Sequence, residues 1–523
     1  MLAGSLSLAL VAAACGSDDG DSAGGTTTAA GASTTASSST TAGGTPTTAG
    51  AQPTSIEDWE ALWAQEREAI ITRIKDNGWG KSADGTTLTG PGGWTVDLSA
   101  CPAGWSDTEG VTDTTIKIGA SISLSGTYAD YGNYGVGIKY LFDYYNEEGF
   151  FEDASGKVRQ VDYITKDDAY DTARAIPNVD ELLDSDKAFA VWTLGTPSTL
   201  RTYDKINERC VPHPLAITFH SAWGDPVNHP WTTGAPNPTY STEAILWGSF
   251  IEQRLDEFPA DQKVKVASLV QNNDFGKLYD VTFRAYLEQS DLLRDRVDYV
   301  SETVEATAPT VTDPMTSLAA ENPDVYISML GGAHCTQTVL EAAQNGMKDT
   351  TEYLFLGQGC TGASWIGKDK LGGDGSAGDG WWVISNGVKD MRDPAFAEDP
   401  YVQWLREGME AKGIDPDASV NIGGGINFAF PVAQALVITG QLEGGVTRTN
   451  FQLAMRAMDM TSPMLLEGIR LHMDGLDDPY IVEAGLFQTW DAANQTYIRQ
   501  GDIIDLEGRA EPCAWDQTVG ACA

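Results

Sequence analysis

From Thr114 onward, short apolar runs alternate with stretches whose apolar positions recur at helical spacing. Thr115–Ser121, Val158–Lys166, Ala188–Leu194 and Val211–Thr218 read as strands. Tyr131–Asn146, Thr172–Leu183 and Pro197–Asn207 read as the helices between them. A helix over Thr239–Leu255 opens a second series, with strands at Lys263–Val270, Val297–Val304, Asp324–Leu330, Tyr353–Gly357 and Trp381–Ser385. Its helices are Lys277–Gln289, Met315–Ala320 and Thr336–Asn345. Strand–helix alternation predicts parallel sheets covered by helices. Two series separated by a crossover predict an α/β protein of two doubly wound parallel-sheet lobes, with a (β/α)₈ barrel as the alternative. Further on, Pro400–Ala411, Asn427–Gln441 and Asn450–Met458 read as helices, and Gly468–His472 and Ala484–Trp490 as strands.

Ahead of this region the pattern changes. Trp59, Leu62, Trp63, Ile70, Ile71 and Ile74 form one stripe on an expected N-terminal helix, Ile56–Asn77, stopped by Gly78 and Gly80. The helix is expected to lie on the main body. Gly85–Gly104 reads as a loop or short hairpin. Residues 17–55 are almost entirely Thr, Ser, Ala and Gly. Such a segment buries too little apolar surface to offset its chain entropy, so a flexible tether is expected. Leu2–Ala14 is apolar but too short to span a bilayer, and it suits a signal-peptide core. Its end, Ala12-Ala13-Ala14-Cys15, resembles the lipobox of bacterial lipoproteins, which implies lipidation at Cys15 and a membrane anchor. It departs from that pattern in having Ala12 where Leu is usual and no Lys or Arg ahead of the apolar run.

At 523 residues the chain exceeds one hydrophobic core. Its formal net charge of −41 repels phosphate backbones, so nucleic acid is not an expected partner. Setting Cys15 aside leaves six cysteines, an even number that reads as disulfides outside the cytoplasm. Cys335 and Cys360 follow adjacent expected strands, so Cys335–Cys360 is an expected bridge. Cys101–Cys210 joins two residues preceding first-lobe strands, and Cys513–Cys522 follows from proximity. The histidines, at 213, 220, 229, 334 and 472, show no metal-ligand spacing. No metal, other cofactor or catalytic residue is therefore expected. Gly423-Gly424-Gly425 follows no strand and opens no nucleotide-binding motif. The longest remaining apolar stretch, Ile426–Gly440, is interrupted by Pro431 and Gln434.

Ligands of open α/β sheets bind beyond the carboxyl ends of the strands. The loops there are rich in hydroxyls, glycines and aromatics, and Thr196–Thr199 also begins a helix whose amides can face an anion. The turn Leu124-Ser125-Gly126 with Tyr131-Gly132, then Lys166-Asp167-Asp168, Gly195-Thr196-Pro197-Ser198, Asp274-Phe275-Gly276, Gly331-Gly332 and Ala377-Gly378-Asp379-Gly380 occur in the order and spacing of one family. From about Thr114 to Gly501 the chain resembles type I periplasmic binding proteins of the branched-chain amino-acid transport class. The resemblance implies two lobes joined by three crossovers, with a small-molecule ligand in the cleft between them. It also implies an ABC permease as partner, a monomer anchored outside the cytoplasm, and no enzymatic step.

By that resemblance Thr196, with Pro197 and Ser198, holds a ligand carboxylate. Thr218, near Ala216, meets carboxylate and ammonium, with Phe219, His220 and Ser221 as alternatives of register. Tyr131 and Phe275 form walls. The family's second-lobe Tyr falls at Ala333, beside His334. Its ammonium-binding Glu falls at Gly359, beside Gln358. A buried ammonium without a carboxylate is costly, so an amide, a carboxylate or an aromatic acid is as plausible a ligand as an amino acid. The implied organisation is signal peptide 1–14, linker 15–54, N-terminal extension 55–110, lobe I at 111–236 and 386–465, lobe II at 237–385 and 466–510, and a stapled tail 511–523. A soluble sensor and a secreted hydrolase are the competing readings; the hydrolase needs a nucleophile–base pair or a metal site.

Overall fold

Ile116, Ile118, Ala120 and Ile122 are all inaccessible to solvent on strand Thr115–Ile122. A strand so apolar belongs inside a sheet covered on both faces. The computed structural model, which describes residues 53–522, places it there. The expected signal peptide, Cys15 and nearly all of the tether lie outside the described residues.

The first sheet runs in the order Phe151–Glu152, Val158–Asp167, Thr115–Ile122, Ala190–Thr193, parallel except at the Phe151–Glu152 edge. The second has seven strands, ordered Thr496–Arg499, Leu486–Asp491, Trp382–Ser385, Tyr353–Leu356, Val325–Met329, Val264–Gln271, Val297–Val304. The last five are parallel, and the two contributed by the C-terminal region are antiparallel additions. The barrel alternative is thereby excluded: among the described residues the parallel strands lie in two open sheets. The chain passes between lobes three times, ahead of helix Tyr240–Glu252, after strand Trp382–Ser385, and ahead of strand Leu486–Asp491.

Several elements differ from the sequence expectation. Val211–Thr218 forms only isolated bridges, Leu194 with Ile217 and His213 with Thr232. Pro212 and Pro214 remove two ladder donors from that run. The buried irregular segment that follows has its backbone groups satisfied by side chains. Gln452 Nε2 donates to Pro230 O (2.8 Å), Arg456 Nη2 to Thr232 O (2.6 Å), and Trp231 N to Asn207 Oδ1 (2.9 Å). Pro197–Asn207 is two short helices, Thr196–Leu200 and Tyr203–Glu208. Of Gly468–His472 only Leu471–His472 is a strand, paired with Asp459–Met460. Ile469, Leu471, Met473, Ile481 and Val482 pack into the lobe I core, and the lobe II sheet takes up the chain at Leu486, not at 466.

Helix Ile56–Asp76 is N-capped by Ser55 and buries Trp59, Trp63, Ile70, Ile71 and Ile74 in the lobe I core. Trp63 Nε1 donates to Thr461 O (3.0 Å), and Arg67 Nη1 to Gln434 Oε1 (2.5 Å). The expected Gly85–Gly104 region contributes to a three-stranded antiparallel sheet fixed to lobe I by the Cys101–Cys210 disulfide. Cys335–Cys360 and Cys513–Cys522 are the other two disulfides.

Helix Val420–Gln441 is long and apolar enough to cross a membrane, but it is the core helix of lobe I, buried along nearly its whole length. It crosses helix Asn133–Glu147 backbone to backbone. A Cβ at Gly137 would stand 2.0 Å from Ile422 O, and one at Gly425 2.1 Å from Tyr134 O. The triple glycine thus serves helix packing. Neither obstruction is a side chain that can swing aside. Gly425→Ala is therefore expected to destabilise the fold by about 3 kcal/mol or more, whereas Gly423→Ala, two residues earlier on the same helix, would place its Cβ no nearer than 3.4 Å to any neighbour and costs far less. Urea midpoints of the two variants check this.

Candidate functional site

The first strand of each lobe ends at the gap between the two sheets, and the loops that follow close on each other. Between the lobes lies a cleft of about 1350 Å³, counting all free space between its walls including the solvent-open mouth. Thr196 enters because Gly195 ends the preceding strand region at φ +86°, a conformation L-residues rarely adopt, where a Cβ would also strike the Tyr170 ring at 2.5 Å. Thr196 Oγ1 lies 2.6 Å from Thr218 Oγ1, which in turn lies 3.4 Å from Tyr240 OH.

Of the residues expected from the sequence, Tyr131, Thr196, Thr218, Phe219, Phe275, Gln358 and Gly359 line this cleft together. Pro197, Ser198, Ala216, His220, Ala333 and His334 do not. Ser198 is buried, its carbonyl accepting from Thr202 Oγ1. Ala216 packs with Leu200, Tyr203 and Trp223 behind the cleft. His220 caps a short helical turn, accepting from Ala222 N at 3.1 Å, and meets Trp515 of the C-terminal tail edge-on. His334 Nε2 lies 2.8 Å from Ala308 O, so Ala333 and His334 open their helix away from the gap. For Ala216 and His220 the shift follows from the irregular backbone after Val211: without a regular strand, alternation does not fix which side chains face the cleft.

Hydrogen bonds across the cleft hold the lobes together. Tyr131 OH, from lobe I, donates to Gly359 O (3.1 Å) and accepts from Gly332 N (2.8 Å). Tyr128 OH lies 3.1 Å from both Gln271 Oε1 and Ala306 O and directs its single proton between them. Tyr128 stacks on Tyr170 with ring centroids 4.1 Å apart, and Tyr131 meets Trp365 edge-on at 5.8 Å. Arg392 Nη1 of lobe I donates to Ser364 Oγ of lobe II, which accepts the Val420 amide in turn. The structure is a closed one.

Sequence reasoning missed the wall supplied by the second crossover and the core helix: Asp390, Asp393, Phe396, Asn421, Asn427 and Phe428. Asp390, Asp393 and Phe396 lie on the long loop after strand Trp382–Ser385, beyond the strand-end residues read from the sequence, and Asn421, Asn427 and Phe428 lie on a helix that follows no strand. Among the described residues lining the cleft there is no Lys, Arg or His; Asp390 and Asp393 are its only carboxylates. Asp390 accepts the Arg392 amide at 2.9 Å, and removal from bulk water pushes its carboxyl above the ordinary value. Asp393 caps a turn and accepts from Thr496 Oγ1. Gln271, fully buried, leaves its Nε2 donor without a protein partner.

Behind Gln358 stands Glu243, with no solvent exposure. Its carboxyl oxygens receive the Gln358 amide at 3.0 and 3.2 Å and the Tyr279 hydroxyl. Gln358 Nε2 donates to Pro238 O at 3.1 Å, so the glutamine is held from both ends.

A family model described as periplasmic binding protein matches residues 115–475. A branched-chain amino acid ABC transporter protein from Thermus thermophilus with bound valine is similar in structure, with TM-score 0.63 at 15% identity over 76% of this chain and 97% of that one. A fatty acid ABC transporter substrate-binding protein from Thermomonospora curvata matches with TM-score 0.60 at 16% identity, over 79% and 98%. A solute-binding protein of an ABC transporter from R. palustris in complex with 4-hydroxybenzoate matches with TM-score 0.58 at 17% identity, over 75% and 97%. No curated protein matches the chain.

Burial pushes the Glu243 carboxyl from 4.5 up to about 8, against the hydrogen bonds it accepts. A raised carboxyl favours folding fully below its unfolded value and loses that contribution as pH rises toward its folded one, at about 1.4 kcal/mol per pH unit. Glu243→Gln keeps an oxygen for the Gln358 amide and has no such titration. Its melting temperature is expected to gain on the parent between pH 5 and pH 8.5, read by calorimetry at both.

Proposed function

The chain belongs to the periplasmic binding protein family, and from that premise we propose that it captures a small polar organic ligand between its lobes for an ABC importer, outside the cytoplasm. The observation that carries the reading is the closed cleft itself: aromatic walls, hydroxyl and amide groups converging from both lobes, and tyrosine bridges that form only when the lobes meet. Ligand contacts to both walls add to those bridges, so binding shifts the population toward the closed form. The permease then reads a surface made from both lobes. Lipidation at Cys15 holds the protein at the membrane in this reading.

The charge of the lining narrows the ligand. A simple carboxylate would sit with Asp390 and Asp393 and no lining cation, an unfavourable arrangement at low dielectric. An amino acid or amide instead offers N–H donors to Asp390. Its carboxyl or carbonyl oxygen suits Thr196, Thr218 and the free Nε2 of Gln271. Asp390 thus supplies the carboxylate that the family's pattern would put at Gly359. The ligand class is therefore an amino-acid- or amide-like molecule with an apolar portion against Tyr131, Phe275 and Trp365.

Native mass spectrometry of protein from its own host, followed by a thermal-shift panel of amino acids, amides and benzoates, tests the class. Asp390→Asn is expected to weaken a ligand bearing an ammonium by about 3 kcal/mol, roughly hundredfold. Tightest binding by benzoates, undiminished in Asp390→Asn, would rule out the assignment to amino acids and amides. Turnover of any panel member would instead support an enzyme. Small-angle scattering should show the radius of gyration fall when ligand is added; an unchanged curve would count against hinge closure.

A further inference from the structure

Away from the ligand cleft, three chain segments meet where the lobes are joined. The hairpin Leu471–His472 and the turn to Asp478 belong to lobe I. Glu483 lies on the third crossover. Glu507 follows the last lobe II strand, on the segment whose Ile504 pairs with Gly485. The nitrogen of His472 and one carboxylate oxygen each of Asp478 and Glu507 all stand within 4.8 Å of one another. Beside them is a small opening of about 260 Å³, lined in part by His472, Glu483, Asp505 and Glu507.

Carboxylates outnumber cations here: Asp478, Glu483, Asp505 and Glu507 stand about His472 and Arg470. Asp478 is only 5% exposed, and its Oδ1 has no hydrogen-bond partner. A buried carboxyl with one oxygen lacking a donor and a second carboxyl, Glu483, standing against it is costly for a fold to carry. Glu483 is 6% exposed, but its oxygens accept Gly508 N (2.6 Å) and Ala510 N (3.0 Å). Arg470, the one Lys or Arg lining the opening, pairs with Asp459 at 2.8 Å and Glu66 at 3.2 Å. His472 Nδ1 lies 3.7 Å from Asp459 and 3.9 Å from Glu507, and Glu507 is exposed enough to swing inward.

We propose that His472, Asp478 and Glu507 bind a divalent transition-metal cation of the zinc or manganese class, which pins the lobe I hairpin to the segment that follows the last lobe II strand. An imidazole with two carboxylates is a mixed nitrogen–oxygen donor set; calcium and magnesium take oxygen almost alone. Ligand atoms about 2.2 Å from a common ion stand at most about 4.4 Å apart. Three ligands sharing one ion stand about 3.1 to 3.8 Å apart, so side-chain movements of about an ångström close the set around it. The opening leaves space for water to complete the coordination. The spacing His472–Asp478–Glu507 follows no sequence motif, since the third ligand comes from the far side of a lobe II hairpin.

The test uses the full chain stripped with EDTA and titrated separately with Zn²⁺, Mn²⁺ and Ca²⁺ by calorimetry, with thermal melts alongside. One equivalent of Zn²⁺ or Mn²⁺ is expected to bind, with an accompanying rise in melting temperature. His472→Ala and the isosteric Asp478→Asn should each weaken binding by about tenfold or more. Asp478→Asn should also fold at least as well as the stripped parent, because it removes a buried carboxyl that stands against Glu483. His229→Ala, whose ring is already held by Asp204 and Asp225, should bind like the parent. Absence of a stoichiometric site, parental affinity in both His472→Ala and Asp478→Asn, or a preference for Ca²⁺ unaffected by His472→Ala would each overturn the assignment.

Discussion

The close crossing of helices Asn133–Glu147 and Val420–Gln441 at Gly137 and Gly425 is the constraint on which lobe I rests. One helix begins just after the first strand; the other arrives some 290 residues later, after the chain has visited lobe II. Their backbones touch, so neither can slide or rotate without collision. That fixes where the N-terminus of Val420–Gln441 meets the cleft, and with it Asn421, Asn427 and Phe428. It also fixes the surface on which helix Ile56–Asp76 docks, through Trp63 and Arg67. An extension remote from the cleft and a wall of the cleft are thus set by the same contact.

The cleft combines two kinds of support. Its hydroxyls, on Thr196, Thr218 and Tyr240, belong to elements whose backbones are fixed within or beside one lobe. Its aromatic bridges, Tyr128 and Tyr131, reach across and bond to lobe II groups. The first set orients a guest; the second exists only when the lobes meet. In the proposed function, binding energy and closure are coupled through a few tyrosine hydrogen bonds. Among the described residues that line the cleft, Asp390 and Asp393 are the only charged ones, which is what the proposed amino-acid- or amide-like ligand rests on.

Most of the framework was legible. Runs such as Val264–Gln271 and Val325–Met329 are buried on both faces, so local apolar content already implied covered parallel strands. Trp59, Trp63 and Ile70 implied the docked N-terminal helix by spacing alone. Legibility failed where proline interrupts the pattern: Val211–Thr218 carries strand-like residues but lacks the N–H groups of Pro212 and Pro214. The expectations resting on that strand, Ala216 and His220 above all, went to the back of the cleft. Asp390 was invisible for a different reason. It lies five residues past the end of strand Trp382–Ser385, on a crossover loop whose path back to the cleft no local pattern encodes.

By itself the sequence determined the fold class, the two-lobe repeat, the disulfide partners and the strand-end half of the site. These follow from short-range patterns: apolar periodicity, turn residues and the adjacency of neighbouring strands. Tertiary structure alone decided the rest. It alone brings Asp390 and Phe428 opposite Thr196, turns the triple glycine into a helix crossing, and gathers His472, Asp478 and Glu507 at the lobe junction. Each of those depends on segments far apart in the chain being held together by packing, and no local rule encodes the distance between them.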